Sequence, residues 1–374
     1  MDVLSLTNEF EAESFGGAGT AVSGMVHMLD RSGVRQTIIV PRSDLAEPRW
    51  DLRGSQIKVL GLPRNGHYIG NLGMIKAETV VREFPELNQG WDLIHCHAIN
   101  FTSLAYTLSG GKTPILYSVY SFLRQELGDS AEPELQAQFK VQEDLLLRCR
   151  QLHLISQSER NYLLENFPQY LSKTEVLPLG ISWPSERWEP KNTNEFLYVG
   201  RLLAYKGIED LILAVHLVRQ NGRQVRLNII GKAPDYTYES HLRRLVDARK
   251  LGSLVKFQGW LPSSSEVWGW MSRAAGLVVP SRREAFGLVA LEGMAIGVPV
   301  ITSRAGGLAE LVSDSCALIF EPGNSKQLAN TLRKAIDNPA ILRRLAAKGQ
   351  EKATSLEWGR LALKYRMLLE QTKK

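Results

Sequence analysis

Cysteine is scarce: Cys96, Cys149 and Cys316 are the only three in 374 residues. An odd, widely separated set matches neither a disulfide framework nor a zinc spacing, and a reducing compartment suits it. No apolar run reaches the roughly 18 to 20 residues of a membrane span. The opening "MDVLSLTNEFEAES" is acidic where a secretory signal would be basic and then apolar. These absences predict a cytoplasmic chain. Dense basic runs are missing too, so no nucleic-acid partner is expected and membrane contact is at most peripheral. Solenoid-period repeats and low-complexity segments are absent.

What is present is an ordinary globular balance, 44% apolar and 22% charged, in a length that suits two domains of about 150 to 200 residues. Charge divides unevenly. Residues 1–184 carry 16 Lys and Arg against 21 Asp and Glu, a balance of −5, and residues 185–374 carry 29 against 18, a balance of +11. Most of that basic excess is expected on a solvated surface, with a few side chains free to face a phosphate.

Short β-branched runs alternate with helical patterns, which predicts βαβ units and an α/β fold with parallel sheets. Strands are expected at "VLSLT", "TIIVP", "IKVLG", "DLIHCH", "ILYSVY", "LHLIS" and "EVLPL", then at "FLYVG", "RLNIIG", "VKFQG", "GLVVP", "PVITS" and "ALIFE". Pro, Trp and polar residues interrupt the alternation over 180–196, which places a linker there. Domains of 1–184 and 185–354 follow, with a closing helix over about 355–374 expected to pack back on the first.

The segment "REAFGLVALEGMAIG", residues 283–297, reads as the loop and helix that follow a buried strand, with Gly297 as the helix stop. In an open parallel sheet ligands gather at the carboxyl ends of strands, where helix N-termini present unpaired N–H groups. Gly287 is expected to let a phosphate approach that helix closely. Glu284 lies on the loop and Glu292 about two turns into the helix. Eight residues of helical rise separate them by about 12 Å, the span from a sugar to the ribose of a nucleotide diphosphate sugar and wider than a glycosidase pair. A structural carboxylate satisfied by a neighbouring Arg or by backbone is the alternative for Glu292.

Two glutamates with seven residues between them, and Phe286 and Gly287 after the first, resemble the family 4 glycosyltransferases. "VGRLLAYKG" resembles that family's donor-diphosphate strand and places Arg201 and Lys206 at its basic positions. "LNIIGKAP", "VKFQGWL" and "TSRAGGLAELV" follow in the family's order and spacing. The resemblance implies the GT-B fold, two Rossmann-like domains with parallel sheets facing each other across a cleft. It implies transfer of a sugar from a nucleotide donor, most often a UDP-sugar, to a hydroxyl acceptor (a sugar, small molecule or lipid) with retention at the anomeric carbon. Glu284, His97, Arg201 and Lys206 are the implied catalytic set. Gly16, Gly17, Gly19, Gly231, Gln258, Phe286, Gly287, Leu288 and Glu292 join Arg201 and Lys206 around the donor, Glu284 on the sugar and Glu292 on the ribose.

The chain has no Asp-x-Asp, so no metal or other cofactor is expected, and cations with N–H dipoles are left to stabilise the departing diphosphate. "FGGAGTAVSGMVHML", residues 15–29, resembles the glycine loop by which such enzymes approach donor phosphate; Val22 breaks the dehydrogenase GxGxxG pattern. His97 rather than His95 matches the histidine that faces the donor sugar. Departures are explicit: Tyr120 ends a strand that reads Thr-Val-His in many relatives, and "PLGIS", with Leu179 and Ser182, replaces Pro-Asn-Gly-Ile-Asp. Ser14 and Phe15 stand where starch and glycogen synthases put a lysine, and the chain is short for a polymer synthase. A front-face reaction, with the donor phosphate helping to take the proton, is expected over double displacement. An epimerase or phosphorylase of the same plan, or an inactive sugar-nucleotide binding module, are the alternatives.

Overall fold

The computed structural model describes the chain except residues 12–15, 55, 129–131, 193 and 235. The comparison made on Ser14 and Phe15 therefore lies outside the described residues. Two compact units emerge, one of Met1–Gly180 with Trp358–Lys374 and one of Ile181–Glu357.

The first unit holds β1 (Asp2–Leu6), β2 (Arg35–Arg42), β3 (Arg49–Arg53), β4 (Ile57–Pro63), β5 (Leu93–Cys96), β6 (Ile115–Val119), β7 (Gln151–Leu154) and β8 (Thr174–Val176). They form one sheet in the order β3-β4-β2-β1-β5-β6-β7-β8. Every pairing is parallel except β3 with β4. The sequence predicts no strand at "RWDLR"; β3 is an antiparallel edge on which Trp50 and Leu52 stay exposed, so it lacks the buried apolar run of its neighbours.

The second unit holds β9 (Glu195–Val199), β10 (Arg226–Ile230), β11 (Val255–Gly259), β12 (Gly276–Val279), β13 (Val300–Ser303) and β14 (Ala317–Phe320). Their order is β11-β10-β9-β12-β13-β14, all parallel. β12 and β13 are buried along their whole length, as strands covered by helices on both faces must be.

Both sheets run third, second, first, fourth, fifth, sixth through their successive parallel strands, once β3 and β8 are set aside. Such a sheet reverses direction once, and the crevice at the carboxyl ends of the two strands flanking the reversal is where ligands bind. In the first unit those strands are β1 and β5. In the second they are β9 and β12.

The closing helix Trp358–Lys373 lies in the first unit. Its Trp358 indole is buried where a Cβ on Gly24 or Gly180 would stand, 2.0 and 2.4 Å from indole atoms, so both positions need the smallest residue. Among the described residues no helix is long and apolar enough to cross a membrane.

Candidate active site

In the second unit, the loop after β9 carries Arg201 and Lys206 and the loop after β12 carries Ser281 and Glu284. Because β9 and β12 are hydrogen-bonded neighbours, with Leu277 in register with Leu197, the two loops leave the sheet side by side. Lys206 Nζ donates to Glu284 Oε2 at 2.9 Å, and Ser281 Oγ donates to the same oxygen at 3.0 Å. Both charged side chains are largely enclosed, 17% and 14% exposed, so removing one would leave the other desolvated without its partner.

Tyr205 binds the cations together. Arg201 Nη2 donates to its hydroxyl at 3.0 Å, and Lys206 Nζ sits 5.2 Å from the centre of its ring. The Tyr205 carbonyl accepts from the Arg282 N–H at 2.7 Å, and Arg282 forms a bidentate pair with the buried Asp210 at 2.8 and 2.9 Å. The two loops are thereby stitched before any ligand arrives. Ser281 and Tyr205 were not singled out from the sequence. Ser281 had one readable signal, its place directly after β12 and three residues before Glu284.

The helix beyond Glu284 begins at Leu288, after Gly287 with φ +98°, and ends at Gly297 with φ +90°. Glu292 is therefore its fifth residue, little more than one turn in. The helical rise assumed between the two acids fails across 284–287, which is loop. Gly287 also makes room for the protein itself: a Cβ there would come within 2.4 Å of Leu308 Cδ2. No side chain caps the helix, leaving its first N–H groups open. Phe286 is buried and Leu288 half-buried.

Glu292 has no hydrogen-bond or ion-pair partner among the described residues. Its side chain keeps some surface, yet burial pushes its pKa up to about 7. An acid so placed gains from hydroxyl donors. Gly231 lies at the end of β10 with φ +143°, its α-carbon pressed against the Gly200 carbonyl, where a Cβ would be 1.9 Å away. Gln258 is drawn elsewhere: its amide donates to Asn228 Oδ1 at 2.7 Å, and Asn228 donates to Glu195 Oε1 at 2.7 Å, a side-chain ladder across β11, β10 and β9.

In the first unit, β1 leads to the glycine turn and β5 to His97, whose N–H donates to the Leu6 carbonyl at 2.8 Å. Gly16 caps the helix Gly17–Arg31 in an extended conformation. Its N–H donates to Glu9 Oε2 at 3.1 Å, so the chain's own carboxylate stands at this helix start. Gly17 is exposed and Gly19 buried. His97 is buried; its Nδ1 lies 2.9 Å from the Tyr120 hydroxyl and its Nε2 has no partner. Burial, then the nearby His153, lowers its pKa to about 3, so the ring is neutral. His95 lies behind it, ring centres 3.8 Å apart, and is bonded to Ser118 at 2.7 Å.

Two family models match, Glycosyl transferase 4-like domain over residues 16–180 and Glycosyl transferases group 1 over residues 183–352. The chain belongs to the family 4-type glycosyltransferases. Glycogen synthase of Mycobacterium tuberculosis is 34% identical over 59% of this chain and 52% of its own length, so the chain spans about half of that relative. Among solved structures, sucrose-phosphate synthase of Thermosynechococcus elongatus superposes with a TM-score of 0.80 at 23% identity, covering 99% of this chain and 98% of that one. Anabaena HepE in complex with UDP and glucose gives 0.75 at 20%, covering 98% and 99%. These likenesses carry the GT-B fold. This glycosyltransferase keeps Glu284 and Lys206 in one hydrogen-bonded cluster, with Arg201 joined through Tyr205.

Proposed function

We propose that the chain transfers a hexosyl group from a UDP-sugar to a hydroxyl acceptor, with retention and without a metal ion. The observation that carries this is the Lys206–Glu284–Ser281 cluster at the β9/β12 switch point, an acid and a cation waiting on each other where a donor would separate them. A diphosphate draws Lys206 and Arg201 onto its oxygens. Glu284, still held by Ser281, then accepts from hydroxyls of the sugar. The unpartnered Glu292 accepts from the ribose hydroxyls.

In the reaction the bond from the anomeric carbon to the diphosphate oxygen breaks with its electron pair leaving on the phosphate. The acceptor oxygen forms its bond to that carbon on the same face, and its proton passes to the departing phosphate oxygen. No side chain needs to take that proton, so the enzyme's part is positioning and stabilising charge. The HepE complex with UDP and glucose supports this choice of donor.

The test uses purified full-length chain against UDP-, GDP- and ADP-sugars, followed by melting temperature and then by product analysis with a panel of hydroxyl acceptors. A UDP-sugar is expected to raise the melting temperature most, and NMR of the product is expected to show the donor's anomeric configuration, unchanged in EDTA. Inverted product, a free epimerised donor, or activity abolished by EDTA and restored by a divalent ion would each defeat part of the assignment. Absence of both binding and turnover would leave a module without this activity.

A further inference from the structure

We propose that the first unit carries a second ligand site, separate from the crevice at the carboxyl ends of β1 and β5: an indole-walled pocket toward the amino-terminal ends of the strands that takes one ring of a neutral saccharide. The site does not depend on the function proposed above; only its use, as a hold on a saccharide acceptor or product, rests on that reading.

The pocket encloses about 310 Å³ between β3 and the turn Pro85–Asn88 that precedes β5, at the small end of the range for small-molecule sites. Every residue lining it belongs to the first unit. Its floor is one face of the sheet edge. Leu52 of β3 pairs with Lys58 of β4, which pairs in turn with Thr37 of β2, so these three side chains stand in a row on the same face. Trp50, two residues before Leu52, rises from that face as well. The alternation turns the Asp51 carboxylate to the other face, where Arg42, Arg49 and Arg53 pair with it. Thr37 and Lys58 lie near the starts of their strands and Trp91 stands just before β5, which puts the pocket toward the opposite end of the sheet from the crevice.

Two indoles are held ready. Trp91 is 8% exposed, and its Nε1–H donates to the Leu87 carbonyl at 2.8 Å, which fixes the ring as a wall. Trp50 meets Phe84 edge-on, ring centres 6.5 Å apart, yet stays 39% exposed, with its Nε1–H unpaired among the described residues. An indole face carries negative charge density and attracts the polarised C–H bonds on one face of a sugar ring. Rings already braced lose little freedom on binding. The exposed Trp50 and Leu52 that obscure β3 in the sequence thereby gain a use.

The polar groups decide what kind of molecule fits. Thr37 is 6% exposed, and its hydroxyl, which keeps surface toward the cavity, has no hydrogen-bond partner among the described residues. Such a group costs stability until something bonds to it. Lys58, Glu86 and Gln89 stand exposed around the mouth, their side chains without partners among the described residues. One cation and one anion cancel, so the pocket offers no net charge to a phosphate or a nucleotide. Hydroxyls both donate and accept, which suits an ammonium, a carboxylate, an amide and a buried hydroxyl together. A purely apolar occupant would leave the Thr37 hydroxyl unpaired, and a bare ion would gain little from two indoles. A ring with hydroxyls on its edge and C–H bonds on its face satisfies both the walls and the rim.

The test is calorimetric titration of the full-length chain with maltotriose, mannotriose and cellotriose, supported by saturation-transfer NMR, with and without UDP. At least one trisaccharide is expected to bind with a Kd of about 0.1–5 mM. Trp50→Ala, at an exposed position, is expected to weaken that binding by roughly tenfold or more, and Thr37→Val, which removes only the hydroxyl, by about three- to tenfold. The melting temperature of Thr37→Val is expected to be equal or higher, because the unpaired hydroxyl goes with the substitution. A threonine with a merely structural role would not combine lost affinity with retained stability. UDP is expected to leave these affinities unchanged, and a chain that turns over no donor would still show them, so the site and the proposed activity fail separately. No binding by any of the trisaccharides, or binding indifferent to Trp50→Ala, overturns the site. A dimer in analytical ultracentrifugation that Trp50→Ala dissociates overturns it as well, since the indole would then face a second copy of the chain.

Discussion

Glu292 is the residue whose environment most constrains its role. Burial lifts its pKa to about 7 from the ordinary 4.5. A carboxyl whose folded value is raised binds its proton more tightly in the folded state, so its contribution to stability falls as pH rises from about 4.5 to about 7 and stays lost above that. Glu292→Gln is expected to match the native protein's stability near pH 5 and exceed it by about 1–3 kcal/mol at pH 8, read from denaturant unfolding at both pH values. If Glu292 accepts from ribose hydroxyls as proposed, the ionised form is the better acceptor, so UDP affinity is expected to rise between pH 6 and 8 in the native chain and to be weaker by roughly tenfold or more, and flat, in the variant. Glu284→Gln should behave oppositely, slowing transfer by about 100-fold while leaving UDP affinity unchanged or improved, because Lys206 is freed for phosphate. Calorimetry and steady-state kinetics on both variants would show equal loss of UDP affinity if this division is wrong. The two acids were legible from their spacing to Phe286 and Gly287. Tyr205 was not, because it joins the two loops through its carbonyl's hydrogen bond from the Arg282 N–H, a contact between chain segments that no local pattern encodes.

At the scale of elements, the loop bearing Glu284 is held by the turn before the short helix Leu308–Leu311. The Gly307 N–H donates to the Glu284 carbonyl at 2.8 Å, and a Cβ on Gly307 would stand 2.1 Å from the Ala285 carbonyl oxygen. Gly307 has φ −61°, so its glycine is required by contact and not by backbone conformation. Gly307→Ala must push the loop away. The expected result is a destabilisation of about 1–3 kcal/mol together with a fall in kcat on the order of 100-fold, since a displacement near 1 Å at a positioned group costs that much. Kinetics taken well below the melting temperature separate the two effects, and a lower melting temperature with unchanged kcat would show that the turn does not position Glu284. The parallel strands were readable because each is a short buried apolar run. β3 was not, because Arg49, Asp51 and Arg53 alternate with exposed Trp50 and Leu52 and the edge is stabilised by ion pairs to Asp51 instead of by a core. The rise between Glu284 and Glu292 was misjudged for a different reason: the helix starts at Leu288 as its sequence reads, but helical rise was applied across the loop residues 284–287 as well.

Across the whole molecule, the same strand order is built twice, and the chain returns to the first unit for its last helix. That return is anchored by Trp358 against Gly24 and Gly180, and by Tyr365, whose hydroxyl donates to the Pro178 carbonyl at 3.1 Å. Lys373 pairs with Asp92 at 2.8 Å near the amino-terminal end of β5. The closing helix thus covers the helix that carries the glycine turn and the segment that leaves β8, using a buried indole for which neither face offers a substitute. Trp358→Ala removes a large, fully enclosed side chain from between two glycines that cannot fill the space, a change worth about 3–5 kcal/mol. Each unit has its own sheet and its own core, so the loss should be confined to the first. Hydrogen exchange followed by mass spectrometry is expected to show faster exchange across residues 17–31 and 174–180 in the variant, with residues 288–296 and 300–303 unchanged. Equal loss of protection in both sets would show that the two units unfold as one, and no loss in the first set would mean that Trp358 fills space without supporting the helix that carries the glycine turn.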